Sequence, residues 1–451
     1  MNPENKTLLK KLLVLVLPMA LQNLMASLVS ASDALMLGFL NQSSLSAVSL
    51  AGQVQFVLSL FLGAFSIGES VLAAQYWGKG EKHRLEEILG IVLRFSILVS
   101  FLFTLAALCA PELLMRIFTN DEELIRLGAS YLRIVSFSYF FMGISQMYLC
   151  IMKNTNRALR STLYSSSAVI LNIIINALLI FGLLGFPKLG IAGAAIATTI
   201  SRGVELALIL YENVRQSEVR IHIKHLLHPL SWLQKDYIHY TWPSLANQVI
   251  WGCGFTMTSV IMGHLGTDAV AANSIAQIAK NLAACLCLGI GTGSGIIIGN
   301  ELGQGNLAHA KKTGNKLCII SLVAGAASCL VLFACIPLIQ GFAGTLSPQA
   351  QDYLRFMLFV CSYYMIGKSF SATVIGGVFS AGGDTRFGLL CDTINMWAII
   401  VPVGCIAAFV LNLPVPVVYF LLNLDEFTKM PVEIWYYRRY RWVKNITHTE
   451  T

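Results

Sequence analysis

Charge is what this chain has least of: Asp, Glu, Lys and Arg make up 12% of its 451 residues. A soluble domain carries roughly 25%. A water-facing surface cannot be covered with so little charge, which excludes a soluble multidomain enzyme. Catalytic and metal motifs are missing as well. The 11 cysteines include no Cys-x-x-Cys pair, and Cys253, Cys285, Cys287, Cys329 and Cys361 sit inside apolar runs. They read as small buried hydrophobes, with no disulfide framework and no metal site expected. No HExxH and no paired His/Asp near one surface occurs, so no catalytic residue and no cofactor are expected. The glycine runs Gly289–Gly295 and Gly190–Ala195 are followed by no Lys-Ser/Thr and read as close-packing surfaces, not phosphate loops.

What the chain has in abundance is apolar sequence, 56% of all residues. Twelve apolar segments, at approximately 12–40, 46–77, 88–110, 126–152, 161–184, 188–212, 240–263, 269–300, 314–337, 351–379, 387–410 and 414–434, are each long enough to span a bilayer as a helix. Lys6, Lys10 and Lys11 precede the first, which runs to about Leu40, too far for the apolar region of a signal peptide; a retained first helix is expected. Basic residues mark alternate connections: Lys79, Lys82 and Arg84; Lys153, Arg157 and Arg160; Arg215, Arg220 and Lys224; Lys311 and Lys312; Arg386; then Arg438, Arg439, Arg441 and Lys444. The net charge of +8 is accounted for by these loops without a nucleic-acid partner. An even helix count with both termini cytoplasmic satisfies the positive-inside rule throughout, in a multi-pass protein of the cytoplasmic (inner) membrane.

The longest polar connection falls near the midpoint. The expected organisation is an N-terminal six-helix lobe (1–212), an amphipathic cytoplasmic linker (213–238), a C-terminal six-helix lobe (239–437) and a basic tail (438–451). His222, His225 and His228 of the linker have no acidic or Cys ligand beside them in sequence and read as histidines on a wet face. An internal repeat supports the two lobes. Pro18 and Pro243, Gly38 and Gly263, Ala47 and Ala272, Ser49 and Ser274, Gly78 and Gly303, and Gly80 and Gly305 all stand 225 positions apart. The fold class is therefore all-α, twelve transmembrane helices in two pseudo-symmetric six-helix bundles, the build of a secondary transporter. A monomer in contact with membrane lipids and small-molecule amphipathic substrates is expected.

Ionisable residues inside a bilayer are costly and mark function. Asp33 is the clearest. Counted back from Asn41 at the helical rise, it lies roughly 12 Å below the outer surface. Asn176 reaches about the same depth, Asn172 is one turn deeper on the same face, and Thr198 comes to about 15 Å. These four oxygen-bearing side chains make a candidate cation or proton site; the alternative for Asn and Thr is interhelical hydrogen bonding. Secondary candidates are Glu69, some 15 Å from the cytoplasmic end, Lys368 at about 21 Å and Asp392 at about 10 Å. Arg202, Glu205, Asp425, Glu426 and Lys429 are expected nearer the cytoplasmic surface in structural roles. Pro18, inside the first helix, removes a backbone hydrogen bond and marks a hinge.

Pro18 with Asp33-Ala-Leu-Met-Leu-Gly38, Asn172-Ile-Ile-Ile-Asn176, Gly190-Ile-Ala-Gly-Ala-Ala-Ile-Ala-Thr198 and Gly382-Gly-Asp-Thr-Arg386, in that order and spacing, resemble the multidrug and toxic compound extrusion (MATE) family over nearly the whole chain. The resemblance implies a prokaryotic antiporter exporting amphipathic, often cationic, compounds in exchange for H+ or Na+. It gives Asp33 and Asn172 the family's N-lobe ion-site positions. Where the family often has a further Asp, this chain has Asn176, which removes one negative charge and leaves proton coupling open. Members with a C-lobe site carry an acid in helix seven; here that segment has Asn247, Gln248 and Trp251, so such a site is expected to be absent or altered. Two other readings compete with this one. A lipid-linked saccharide flippase would line its cavity with Arg or Lys for pyrophosphate, and none stands at the depth of Asp33. A membrane-embedded enzyme would need a catalytic constellation that does not occur.

Overall fold

The computed structural model describes residues 3–40, 42–215, 218–342 and 346–448, and every regular element among them is helical. Asn41, the marker from which the depth of Asp33 is counted, lies outside the described residues. Helices run α1 Pro3–Gly38, α2 Gln42–Lys79, α3 Lys82–Cys109, a short α4 Pro111–Arg116, α5 Glu122–Asn154, α6 Ala158–Phe181 and α7 Ile191–Arg215. After the short α8 Ile223–Leu227 come α9 Ser231–His264, α10 Thr267–Gly303, α11 Leu307–Phe342 and α12 Pro348–Ser371. The chain ends with α13 Thr385–Ile394, α14 Val401–Cys405, α15 Val415–Leu422 and α16 Asp425–Tyr437.

Ten helical stretches are by themselves long and apolar enough to cross a membrane. The other two spans are α9, whose first turns are polar, and the pair α15–α16, interrupted at Asn423 and Leu424 and loaded with Asp425, Glu426, Lys429 and Glu433. The protein is thus an all-α, twelve-span membrane protein. Between α12 and α14 the helices widen into π-turns at Ala372–Phe379 and Asn395–Ile400, with another at Ile406–Val410. π-Turns add a residue per turn and recur at functional sites. α1 runs through Pro18 without a break, as α9 does through Pro243.

The chain divides into two compact units. One comprises Met1–Asn23, Ala74–Lys79 and Tyr240–Thr451; the other comprises Leu24–Ala73 and Gly80–His239. The first half of α1 and the last turns of α2 thus pack with the C-terminal helices, a grouping that no composition change marks.

In the first unit the glycine run of α10 is a packing surface on two faces. A Cβ on Gly289 or Gly293 would run into Ala20 or Val16 of α1, and one on Gly291 or Gly295 into Ala372 or Gly377. Missing side chains let helix backbones approach closely, which is how spans associate where solvent gives no hydrophobic drive. The basic tail is folded onto the same unit. Trp442 is fully buried, and Gln75 holds the tail beyond it, donating to Lys444 O at 3.1 Å and accepting from Ile446 N at 2.9 Å while also donating to Ala381 O at 2.7 Å.

In the second unit buried Glu212, near the end of α7, gathers the basic residues that follow α5. It accepts from Arg157 at 3.2 Å, Arg160 at 2.9 Å and the Tyr164 hydroxyl at 2.8 Å. Hydrogen bonds to a charged group contribute about 1.5–3 kcal/mol each. Gly193 of α7 lies on the Leu179 backbone, seating α7 against α6.

Candidate functional site

In the second unit α1, α6 and α7 bring together the four residues expected to share a level. Asn172 and Asn176 stand one turn apart, and the helical repeat stacks them on one face of α6. Thr198 donates to Ala194 O of its own helix at 3.0 Å, so its oxygen is left to accept from Asn172 at 3.4 Å. Asn172 Oδ1 in turn accepts from Asn176 at 3.1 Å, and the Asn176 amide also donates to Asp33 Oδ1 at 2.5 Å. A continuous chain Thr198–Asn172–Asn176–Asp33 results.

One acceptor in it is unused. Asn176 is 0% exposed, and its Oδ1 is buried with no hydrogen-bond partner. An orphaned buried acceptor costs about 1–3 kcal/mol until a donor or cation reaches it. It belongs to the residue that grips the Asp33 carboxylate. Two further residues act on the group. Tyr131 of α5 lies within side-chain hydrogen-bonding reach of Thr198, and Arg202, one turn beyond Thr198, bears on Asp33 through its charge. Arg202 is itself paired with buried Glu205 at 2.9 Å. The sequence carries no signal that assigns Tyr131 to the site; for Arg202 the signal is its i,i+4 relation to Thr198.

Glu69 does not join Asp33. It is fully buried in α2, with Cys150 and Lys153 of α5 as its neighbours. Pro18 falls in the other unit.

The other candidates, Lys368 and Asp392, meet only through intermediaries. Lys368 pairs with Glu426 at 3.1 Å, Glu426 with Lys429 at 2.8 Å, and Lys429 with Asp392 at 3.1 Å. Asp392 also accepts from Asn247 of α9 at 3.0 Å. Glu426 and Lys429, expected in structural roles, link the two candidates, and Glu426 is 1% exposed. Tyr364 donates to Glu426 at 3.2 Å, and its ring carries the Lys280 ammonium 3.6 Å from its centroid. Ser371 donates to buried Glu433 at 3.1 Å. Asn395, where a π-turn starts, donates to Asp425 O at 2.8 Å. The signal was legible in principle: Glu426, Lys429 and Glu433 stand at i, i+3 and i+7, one stripe of α16. A buried charge needs a partner, and this stripe supplies partners of both signs.

A family model described as MatE matches residues 18–178 and 243–406, the two matches starting at Pro18 and Pro243, the repeat mates. The chain is 25% identical over 417 residues to a probable multidrug resistance protein NorM of Thermotoga maritima, covering 92% of this chain and 87% of that protein. It is 23% identical to multidrug and toxin extrusion protein 1 of Oryctolagus cuniculus, covering 90% and 71%. Among solved structures, an outward-facing multidrug resistance MATE family transporter of the MOP superfamily superposes with a TM-score of 0.88 at 20% identity, over 96% of each chain.

Proposed function

The chain belongs to the MatE family, and from that premise we propose that it exports amphipathic, cationic compounds in exchange for protons, with Asp33 as the exchanging group. It is a multi-pass membrane transporter and not an enzyme. The observation that carries the coupling is the Asp33–Asn176 pair with its unused acceptor. A hard cation wants about six oxygens. In this group the Thr198 and Asn172 oxygens and Asp33 Oδ1 each already accept a hydrogen bond, while Asn176 Oδ1 accepts none. That set suits a proton better than sodium.

Exchange follows from one carboxylate serving two ligands. Ionised, Asp33 attracts a cationic substrate; protonated, it does not. Each ligand then lowers the affinity for the other by the same factor, about 5–150-fold for a typical coupling energy of 1–3 kcal/mol. The basic connections favour a cytoplasmic (inner) membrane location with both termini inside. The flippase alternative needs unpaired cations to hold pyrophosphate. In the first unit Lys368 and Lys429 are instead paired with Glu426 and Asp392.

The test is export of a cationic dye from proteoliposomes under an imposed pH gradient or an imposed sodium gradient. Efflux with the pH gradient alone is expected. Efflux that requires sodium would overturn proton coupling, and no efflux of any cationic dye under either gradient would overturn the substrate class.

A further inference from the structure

In sequence no acid stands between the three linker histidines; the fold brings Glu86 to two of them. α3 opens with Lys82-His83-Arg84-Leu85-Glu86-Glu87, so that His83 and Glu86 share a helical face. The segment ahead of and through α8 lies across this turn. The contact is set by Gly90, where an added Cβ would come within 2.7 Å of the His225 Cβ and 2.8 Å of its carbonyl carbon. Only the absent side chain lets α8 sit so close to α3.

The result is a cluster drawn from two elements. One ligand atom each from His83, Glu86 and His225 lies within 4.8 Å of the others. His222 Nε2 stands 3.4 Å from Glu86 Oε2. The His225 ring meets those of His83 and His222 at centroid distances of 5.4 and 5.6 Å. We propose that His83, Glu86 and His225, with His222 as a fourth donor, bind a divalent transition-metal ion of the zinc type and pin residues 220–227 to the start of α3.

Three features of the surroundings support this. The second Glu86 oxygen accepts the Arg220 backbone N–H at 3.0 Å, which fixes the carboxylate with its other oxygen turned to the histidines. His83 presents Nδ1 towards Glu86, while its Nε2 lies 3.2 Å from Glu87. That is the carboxylate–histidine arrangement which orients a metal-ligating imidazole and raises its basicity. The flanking cations Lys82 and Arg84 are engaged elsewhere, with Glu218 at 2.9 Å and Glu87 at 2.8 Å. The donor set selects the metal: imidazole with one carboxylate suits zinc, nickel and copper, whereas calcium and magnesium take all-oxygen shells. Four such donors around zinc stand about 3.4 Å apart at bond lengths of 2.0–2.1 Å. Against that spacing the ligand atoms of His83, Glu86 and His225 lie within 4.8 Å of one another, and His222 Nε2 lies 3.4 Å from Glu86 Oε2. His228, outside the group, serves as a control.

The experiment uses the full chain without an oligohistidine tag, purified in detergent, stripped with a chelator and titrated with zinc by calorimetry. One zinc ion per chain is expected, undisturbed by millimolar magnesium. Glu86→Gln and His225→Gln should each weaken binding about tenfold or more, and His228→Gln should leave it unchanged. Zinc should also slow amide hydrogen exchange over residues 220–227 in the parent and not in H83Q/H225Q. Thermal melting of the metal-free variants shows whether they fold like the parent. Should H83Q/H225Q fold and still bind zinc with parental affinity, the ion sits elsewhere, on the cysteines for instance, and the proposal fails. It fails equally if the parent binds less than one ion per chain or if zinc leaves exchange over 220–227 untouched.

Discussion

Gly78 at the end of α2 and Gly303 at the end of α10 are each pressed against the other's helix. A Cβ on Gly78 would fall within 3.0 Å of the Asn300 backbone, and one on Gly303 within 3.0 Å of the Gln75 backbone. Gly78 and Gly303 are 225 positions apart, as are Gln75 and Asn300. The repeat read in the sequence is thus expressed as a symmetric crossing, each helix end supplying the glycine that the other's backbone requires. Because the obstructing atoms are backbone, they cannot swing aside. Gly78→Val is expected to destabilise by about 3 kcal/mol or more, at the upper end of overpacking costs. Gly52→Ala, where nothing lies within 4 Å of the added carbon, should be harmless. Melting in detergent compares the two; equal melting temperatures would show that the crossing is not tight.

Asp33→Asn removes the charge that exchanges substrate for proton while keeping the shape of the side chain. Export is expected to fall to background with normal membrane insertion. Dye efflux at the parental rate in this variant would remove Asp33 from the mechanism.

Asn176→Ala takes away the amide that grips Asp33 and the orphaned acceptor together. The lost hydrogen bond to a charged group, about 1.5–3 kcal/mol, corresponds to roughly a 10–150-fold loss of export at unchanged expression. Asn172→Ala and Thr198→Ala stand one and two links further along the chain and should have smaller effects in that order. Three variants pumping like the parent would reduce the network to packing.

Glu426→Gln leaves Lys368 and Lys429 short of their shared partner. Breaking a buried pair from one side costs about 3–5 kcal/mol, so a large fall in melting temperature is expected. Lys368→Met in the same chain removes one uncompensated cation and should recover part of the loss. A double variant no more stable than the single one would argue against charge balance as the cause.

Pro18→Ala restores the backbone donor missing from α1. A hinge role predicts near-normal substrate binding with slowed turnover, read by equilibrium dye binding beside efflux kinetics. Unchanged kinetics would leave Pro18 a static feature of a helix that the structure shows to be continuous.

Low charge and long apolar runs dictated helices, because a chain in lipid must satisfy its own backbone. The repeat spacing fixed the duplication, and the helical rise placed Asp33, Asn172, Asn176 and Thr198 at one level. Those are local properties, carried by composition and period along one chain direction. Rotation about each helix axis and the choice of neighbour are not. Only the tertiary structure decided that Asn176 turns both amide protons inward and leaves its oxygen bare. It likewise decided that Lys368 reaches Asp392 through Glu426 and Lys429, since axial depth says nothing of what stands between two helices. The acids at the start of α3 and the histidines before and in α8 are more than 130 residues apart in sequence. They meet because Gly90 has no side chain to keep α8 away, and a close approach of two backbones is a property of the pair, which neither segment carries alone.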